Sequence, residues 1–172
     1  MFSASVDLVG DSKLGYYRSA MLRSLSDDKC EYLNDAIIVT HQNGSFKGQI
    51  IAVGIASEVA KNLHLRLSDI PKRPGLLMPA FFDTHFHWVQ DDVRMMPKIS
   101  LIKWLELYTF PEEAKYQNRE YARYKAQRFW KRILSVGTIG GLCYSSIHET
   151  ALEAAFKYAP EDFYIGNVLM TM

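Results

Sequence analysis

The sequence predicts an α/β protein in two parts: a β-rich stretch over residues 1–75, then a stretch over 76–172 in which strands alternate with helices. Three observations predict it. Two apolar, β-branched runs flank an Asn43-Gly44 turn signal. Two prolines and a glycine in Asp69–Gly75 then break the rhythm. Beyond that break, apolar runs of strand length are separated by stripes at helical spacing.

Taken in order, Ala36–Thr40 (AIIVT) and Gln49–Gly54 (QIIAVG) read as the arms of a hairpin. Ser57–Leu67 reads as a short helix or an irregular loop. The run Leu76–His87 is apolar enough for a buried strand, although Pro79 limits its start. Ser100 suits an N-cap, and Leu101, Trp104, Leu105 and Tyr108 then form one helical face that Pro111 is expected to break. Asn118 opens a longer helix with the stripe Ala122, Ala126, Phe129, Trp130 and Ile133, closed by Gly137. Thr138–Ser145 reads as a second strand, weakened by Gly140 and Gly141. Ser146 and Glu149 have capping-box spacing, and Leu152, Ala155, Phe156 and Ala159 make a stripe that Pro160 ends. Phe163–Met172 reads as a third strand. Three such strands do not close on themselves and leave a sheet edge unpaired.

Bulk properties narrow the function classes. A net charge of +1 gives no electrostatic case for nucleic acid or an anionic membrane. No apolar run reaches the roughly 18 residues a membrane span needs, and the N-terminus lacks the layout of a secretory signal. Two widely separated cysteines, Cys30 and Cys143, make no disulfide framework, so a cytoplasmic setting is expected. Cys143, in an apolar strand, is expected to be buried and inert. The basic and aromatic mixture of Arg123–Arg132 reads as a helix face rather than a nucleic-acid surface.

The stretch that carries chemistry is Met78–Gln90, MPAFFDTHFHWVQ. A strand places residues i and i+2 on one face, so His85 and His87 point the same way, at the end where parallel α/β folds put their chemistry. Neutral imidazole is a good ligand for zinc and related metals. Asp83 could orient such a ligand or bond to backbone. The residues alone leave a metal site and two incidental strand histidines both open. His41, His64 and His148 read as surface, packing or helix-start residues.

Asp83-Thr-His85-Phe-His87 resembles the Asp-x-His-x-His strand of the amidohydrolase superfamily. Within that superfamily, His85–Gln90 followed by Leu101–Asn118 (LIKWLELYTFPEEAKYQN) resembles the guanine deaminases, which share a tyr-thr-phe-pro-x-glu segment. Gly137-Thr138 and Tyr164–Met170 are similar to later family segments, and residues 1–75 to the start of the flanking domain. The usual Pro-Gly is Pro79-Ala80 here, and the usual Gly-Thr-Thr is Gly137-Thr138-Ile139.

That resemblance implies a (β/α)8 metal-dependent hydrolase barrel, with only its first three strands or so in 76–172, preceded by part of a β-sandwich domain in 1–75. It implies zinc-dependent hydrolysis of guanine to xanthine and ammonia, a cytoplasmic enzyme of purine breakdown, and a homodimer for a full-length protein. His85 and His87 match two ligands of one zinc ion, and Gln90 matches the glutamine that binds the purine substrate. The remaining ligands and the catalytic carboxylate are expected from later strands, so no catalytic residue is expected in this chain. A catalytic zinc takes at least three protein ligands, and a barrel takes roughly 200 residues or more. The chain is therefore expected to be truncated and inactive alone. Two alternatives are a non-catalytic binding or assembly module, and deamination of another purine, a pyrimidine or a triazine.

Overall fold

The computed structural model describes residues 13–97 and 100–168. They form a mixed α/β protein with two separate sheets, and the chain divides into two compact units at Pro79/Ala80.

The first unit is a four-stranded sheet in the order β3-β2-β1-β4. Strands β1 (Leu14–Ser26) and β2 (Lys29–His41) pair antiparallel along nearly their whole length, and β2 pairs antiparallel with β3 (Ile50–Ile55). The Ala36–Thr40 and Gln49–Gly54 arms are thus paired, and β2 begins seven residues earlier, at Lys29. β1 carries no turn-flanked apolar run and is not delimited by pattern alone. Ser57–Leu67 resolves into helix α1 (Ala56–Asn62), whose Ala56 and Val59 pack on Ile37 and Val39. Arg18 holds Asp35 with two hydrogen bonds, of 2.8 and 2.7 Å, and donates to the carbonyls of Leu67 and Ile70, which fixes the following turn to the sheet. The short strand β4 (Leu76–Leu77) runs parallel to β1. Its pairing is why the structural division falls after Pro79 and not at Gly75.

The second unit is a three-stranded parallel sheet, β5 (Phe81–His87), β6 (Thr138–Ser145) and β7 (Phe163–Asn167), in that order. The expected third strand extends past β7 into residues 169–172, which lie outside the described residues. Ser100 accepts from the Lys103 amide and caps helix α2 (Leu101–Trp104). Pro111 does not end this helical run. Leu105–Thr109 winds as a π turn, and Pro111 falls in the first turn of α3 (Phe110–Ala114) directly after it. Leu101 is exposed and Trp104 and Tyr108 are half-buried, so this face is not core.

Asn118 caps helix α4 (Arg119–Ser135) through the amides of Glu120 and Tyr121. Ala122, Ala126, Phe129 and Trp130 are buried as the stripe requires, with Ile133 packed beside them. The capping box at Ser146 does not form. Ser146 accepts from the His148 amide instead, His148 becomes the N-cap, and helix α5 runs from Glu149 to Tyr158. Its buried face is Ala151, Ala154 and Ala155, while Phe156 is exposed. Gly140 and Gly141 do not weaken β6. A Cβ on Gly141 would lie 1.9 Å from the Asp83 carbonyl oxygen, so glycine is what lets β5 and β6 approach there.

One aromatic core lies under this sheet. Phe86 stacks on Phe129, and Phe86, Trp88, Tyr116, Phe129, Trp130 and Phe163 otherwise meet edge-on or tilted, with neighbouring centroids 4.9–6.4 Å apart.

Candidate functional site

The register between β5 and β6 slips between Asp83 and Phe86, so strict alternation does not hold across that stretch. Asp83 accepts a 3.1 Å hydrogen bond from the His85 amide, which is the backbone-bonding role open to it. Beyond the slip, His87 lies beside Tyr144 and Phe86 beside Cys143. Phe86 turns into the core against Phe129 and Trp130. His85 and His87 turn the other way. Their ring centroids are 5.4 Å apart, and both lie against the Tyr144 ring, at 4.8 and 5.2 Å.

The chain is then pinned where the strand ends. Trp88 and Val89 are fully buried, and the Trp88 indole donates to Ser145 Oγ at the end of β6. Trp88 meets Tyr116 edge-on at 5.0 Å. Asp91 is almost fully buried and ion-pairs with Arg132 of α4 and with Arg94. Lys125 of α4 pairs with Asp92. The turn Trp88–Gln90 is therefore held from three sides, and Gln90 is delivered at a fixed place.

Gln90 Nε2 donates to Glu113 Oε1 at 3.0 Å. Glu113 stands in α3, inside the segment Phe110-Pro-Glu-Glu-Ala-Lys-Tyr-Gln117. Its neighbour Glu112 is buried, paired with Lys115 and bonded by the Tyr121 hydroxyl. Burial pushes the Glu113 carboxyl above its ordinary range, against the opposing effects of the Gln90 hydrogen bond and the charge of His148. The residues after β5, those of α3 and the start of α5 thus converge on one point. Sequence reading singled out Gln90 but gave Glu113 no role. Its one signal was the glutamate of the tyr-thr-phe-pro-x-glu segment, since nothing local ties it to a residue 23 positions earlier.

His85, His87, Gln90, Asp91, Arg94 and Trp104 border one cavity of about 510 Å³. Burial, reinforced by the neighbouring His85, holds His87 below the ordinary histidine range, which favours the neutral imidazole that a metal requires. Two imidazoles on one side of a strand end fit two positions of a metal's ligand set. Among the described residues, no group of three or more His, Cys, Asp or Glu side chains is placed to hold a metal ion. His41 lies beside Phe46, His64 is exposed, and His148 caps α5, so none of them joins the pair. Cys143 is buried, and burial pushes its thiol up to about 12. No described helix is long and apolar enough to cross a membrane.

No family profile matches the chain. Guanine deaminase of Escherichia coli (strain K12) is 36% identical over 87 residues, which is 51% of this chain and 20% of that protein. The solved structure of E. coli guanine deaminase superimposes with a TM-score of 0.69 at 24% identity, covering 93% of this chain and 37% of that one. Guanine deaminase from C. acetobutylicum, solved with guanine bound in its active site, gives 0.65 at 23% identity, covering 89% of this chain and 36% of that one. The chain thus spans about a fifth of the first relative's length and somewhat over a third of each structure. The resemblance read from Met78–Asn118 is borne out: this chain is similar to the N-terminal portion of guanine deaminases, which are aminohydrolases, and it shares their fold over that portion.

Proposed function

We propose that this guanine deaminase-like chain supplies two zinc ligands, His85 and His87, and one purine-binding side chain, Gln90, to a hydrolase that converts guanine to xanthine and ammonia. The observation that carries this reading is the convergence of the three side chains on one cavity at the carboxyl end of β5. In this reading β5, β6 and β7 are the first three strands of a (β/α)8 barrel, and the first unit is the start of a β-sandwich domain. Parallel strands joined through helices, and the likeness to guanine deaminase structures, support the assignment. A cytoplasmic, homodimeric full-length enzyme is part of the same proposal.

Each residue has a role that follows from its chemistry. The imidazoles would hold the metal as neutral donors, a form that burial favours in His87. Tyr144 packs against both rings and limits their rotation. Gln90 offers a donor and an acceptor on one planar group, which a purine edge can match. The chemistry a zinc ion supplies when bound is activation of water near neutral pH.

Calorimetric titration of the chain with Zn²⁺ tests the metal site. The expected result is weak binding, since only two of the ligands are supplied, and its loss in the His85→Ala/His87→Ala variant, whose folding is checked by circular dichroism. Equal zinc binding by that variant overturns the assignment. The 172-residue chain alone is expected to release no ammonia from guanine, and measurable turnover would refute that part of the proposal. Binding of cytosine or a triazine in preference to guanine would reassign the substrate.

A further inference from the structure

A glutamine that reads a substrate has an intrinsic ambiguity. Its oxygen and nitrogen are nearly the same size, so a half-turn of the amide exchanges acceptor for donor at small steric cost. An amide in an otherwise apolar pocket would present either face. Here the ambiguity is resolved by a single contact, the 3.0 Å bond from Gln90 Nε2 to Glu113 Oε1. An ionised carboxylate only accepts, so it bonds the NH2 end and rejects the oxygen end.

Glu113 is itself held in place. It follows Glu112, whose carboxylate is buried between Lys115 and Tyr121. Three residues further on, Tyr116 is 1% exposed and packs edge-on against Trp88. Thr150 of α5 donates its hydroxyl to the Tyr116 carbonyl. The segment that carries Glu113 is therefore fastened both to the turn that carries Gln90 and to the helix that follows β6. A purely structural bond would not need a carboxylate next to a second buried carboxylate, where burial already works against its charge.

We infer that Glu113 is a positioning residue that fixes the orientation of the Gln90 amide, so that Gln90 meets its ligand with Oε1 and one remaining Nε2 hydrogen, side by side as an acceptor–donor pair. The inference rests on Gln90 being the purine-binding side chain, and it adds which way that side chain is turned and what turns it. An acceptor beside a donor matches a ligand edge that offers a donor beside an acceptor, such as the 2-amino group and ring N3 of guanine. A purine without the 2-amino group loses the first of these bonds.

The test uses the 172-residue chain and Glu113→Gln, which keeps the shape of the side chain and adds a donor. The side-chain amide signals of Gln90 are followed by ¹⁵N-edited NMR, with thermal unfolding as a check on folding. In the parent protein the two Nε2 hydrogens are expected to be well separated, one shifted downfield and protected from solvent exchange. In Glu113→Gln that separation is expected to collapse with little change in melting temperature. Identical Gln90 signals in both proteins overturn the positioning role. Titration with guanine, and with hypoxanthine as the analogue lacking the 2-amino group, is the second arm. The expected result is about tenfold weaker guanine binding in Glu113→Gln, the loss of roughly one oriented hydrogen bond, with hypoxanthine binding less affected. If the Gln90 signals respond to Glu113→Gln but guanine perturbs neither protein, the positioning role stands and the purine reading of Gln90 fails. If guanine binds both proteins equally, the positioning role fails and the purine reading stands.

Discussion

The two ends of β5 carry large apolar residues and place them in opposite environments. Phe81 and Phe82, at the start, are 49% and 63% exposed. Trp88 and Val89, just past the other end, are 0% exposed. The difference lies in what converges on each end. At the start, β5 meets Gly137, Thr138 and the glycines of β6. Past the finish it meets α4, the α3 segment and the end of β6 together. Rigidity in this unit is therefore concentrated where the histidines and Gln90 stand, which is what a pre-organised site needs.

The sharpest way to break this contrast is to truncate one residue at each end. Trp88→Ala removes the indole from its contacts with Tyr116 and Phe129 and leaves Ser145 Oγ without its donor. It is expected to destabilise the second unit by about 3–5 kcal/mol. Phe82→Ala is expected to cost no more than about 1 kcal/mol, because the ring is mostly in solvent. Trp104 and Trp130 remain after the first substitution, and all three tryptophans lie in the second unit. Their fluorescence during urea unfolding therefore follows that unit alone. Equal losses at the two ends would refute the contrast.

A smaller effect separates packing from charge at the rigid end. Asp91 is almost fully buried and carries both Arg132 and Arg94. Asp91→Asn keeps the shape and removes the charge, and is expected to cost about 1–3 kcal/mol. Hydrogen exchange should show the loss first in the amides of Asp91 and Val93, which bond the Trp88 and Gln90 carbonyls. An unchanged exchange pattern would mean that aromatic packing alone holds the turn.

What could be read from the sequence follows the same division between local and distant causes. The caps at Ser100 and Asn118 and the glycine after α4 were legible because a few neighbouring residues decide them. Thr138–Ser145 was legible because its apolar run is bounded by turn residues on both sides. Pro111 and Ser146 misled although their causes are also local, because spacing rules do not distinguish a π turn from an α turn or a hydroxyl bonded two residues on from one bonded three residues on. A π turn moves Pro111 into the first turn of α3, and the Ser146 hydroxyl is taken by the His148 amide. The histidine pair could be seen because its members are two residues apart. The partner of Gln90 could not, because Glu113 lies 23 positions away and comes to it through tertiary packing such as that of Tyr116 on Trp88.

The smallest expected effect concerns Glu113 and pH. Burial raises its carboxyl above the ordinary value near 4.5, with Gln90 and His148 acting in the opposite sense. The folded protein therefore holds this proton to higher pH than the unfolded chain does. Its contribution to stability is fully present below about pH 4.5 and is lost as pH rises through the folded value. Glu113→Gln has no such proton to lose. Relative to that variant, the parent protein is expected to lose stability as pH rises above about 4.5, as read by urea unfolding of the tryptophan signal. The sign discriminates, because a carboxylate held mainly by Gln90 and His148 would gain stability over that range. Such a gain would make the hydrogen bond, and not burial, the dominant influence on Glu113.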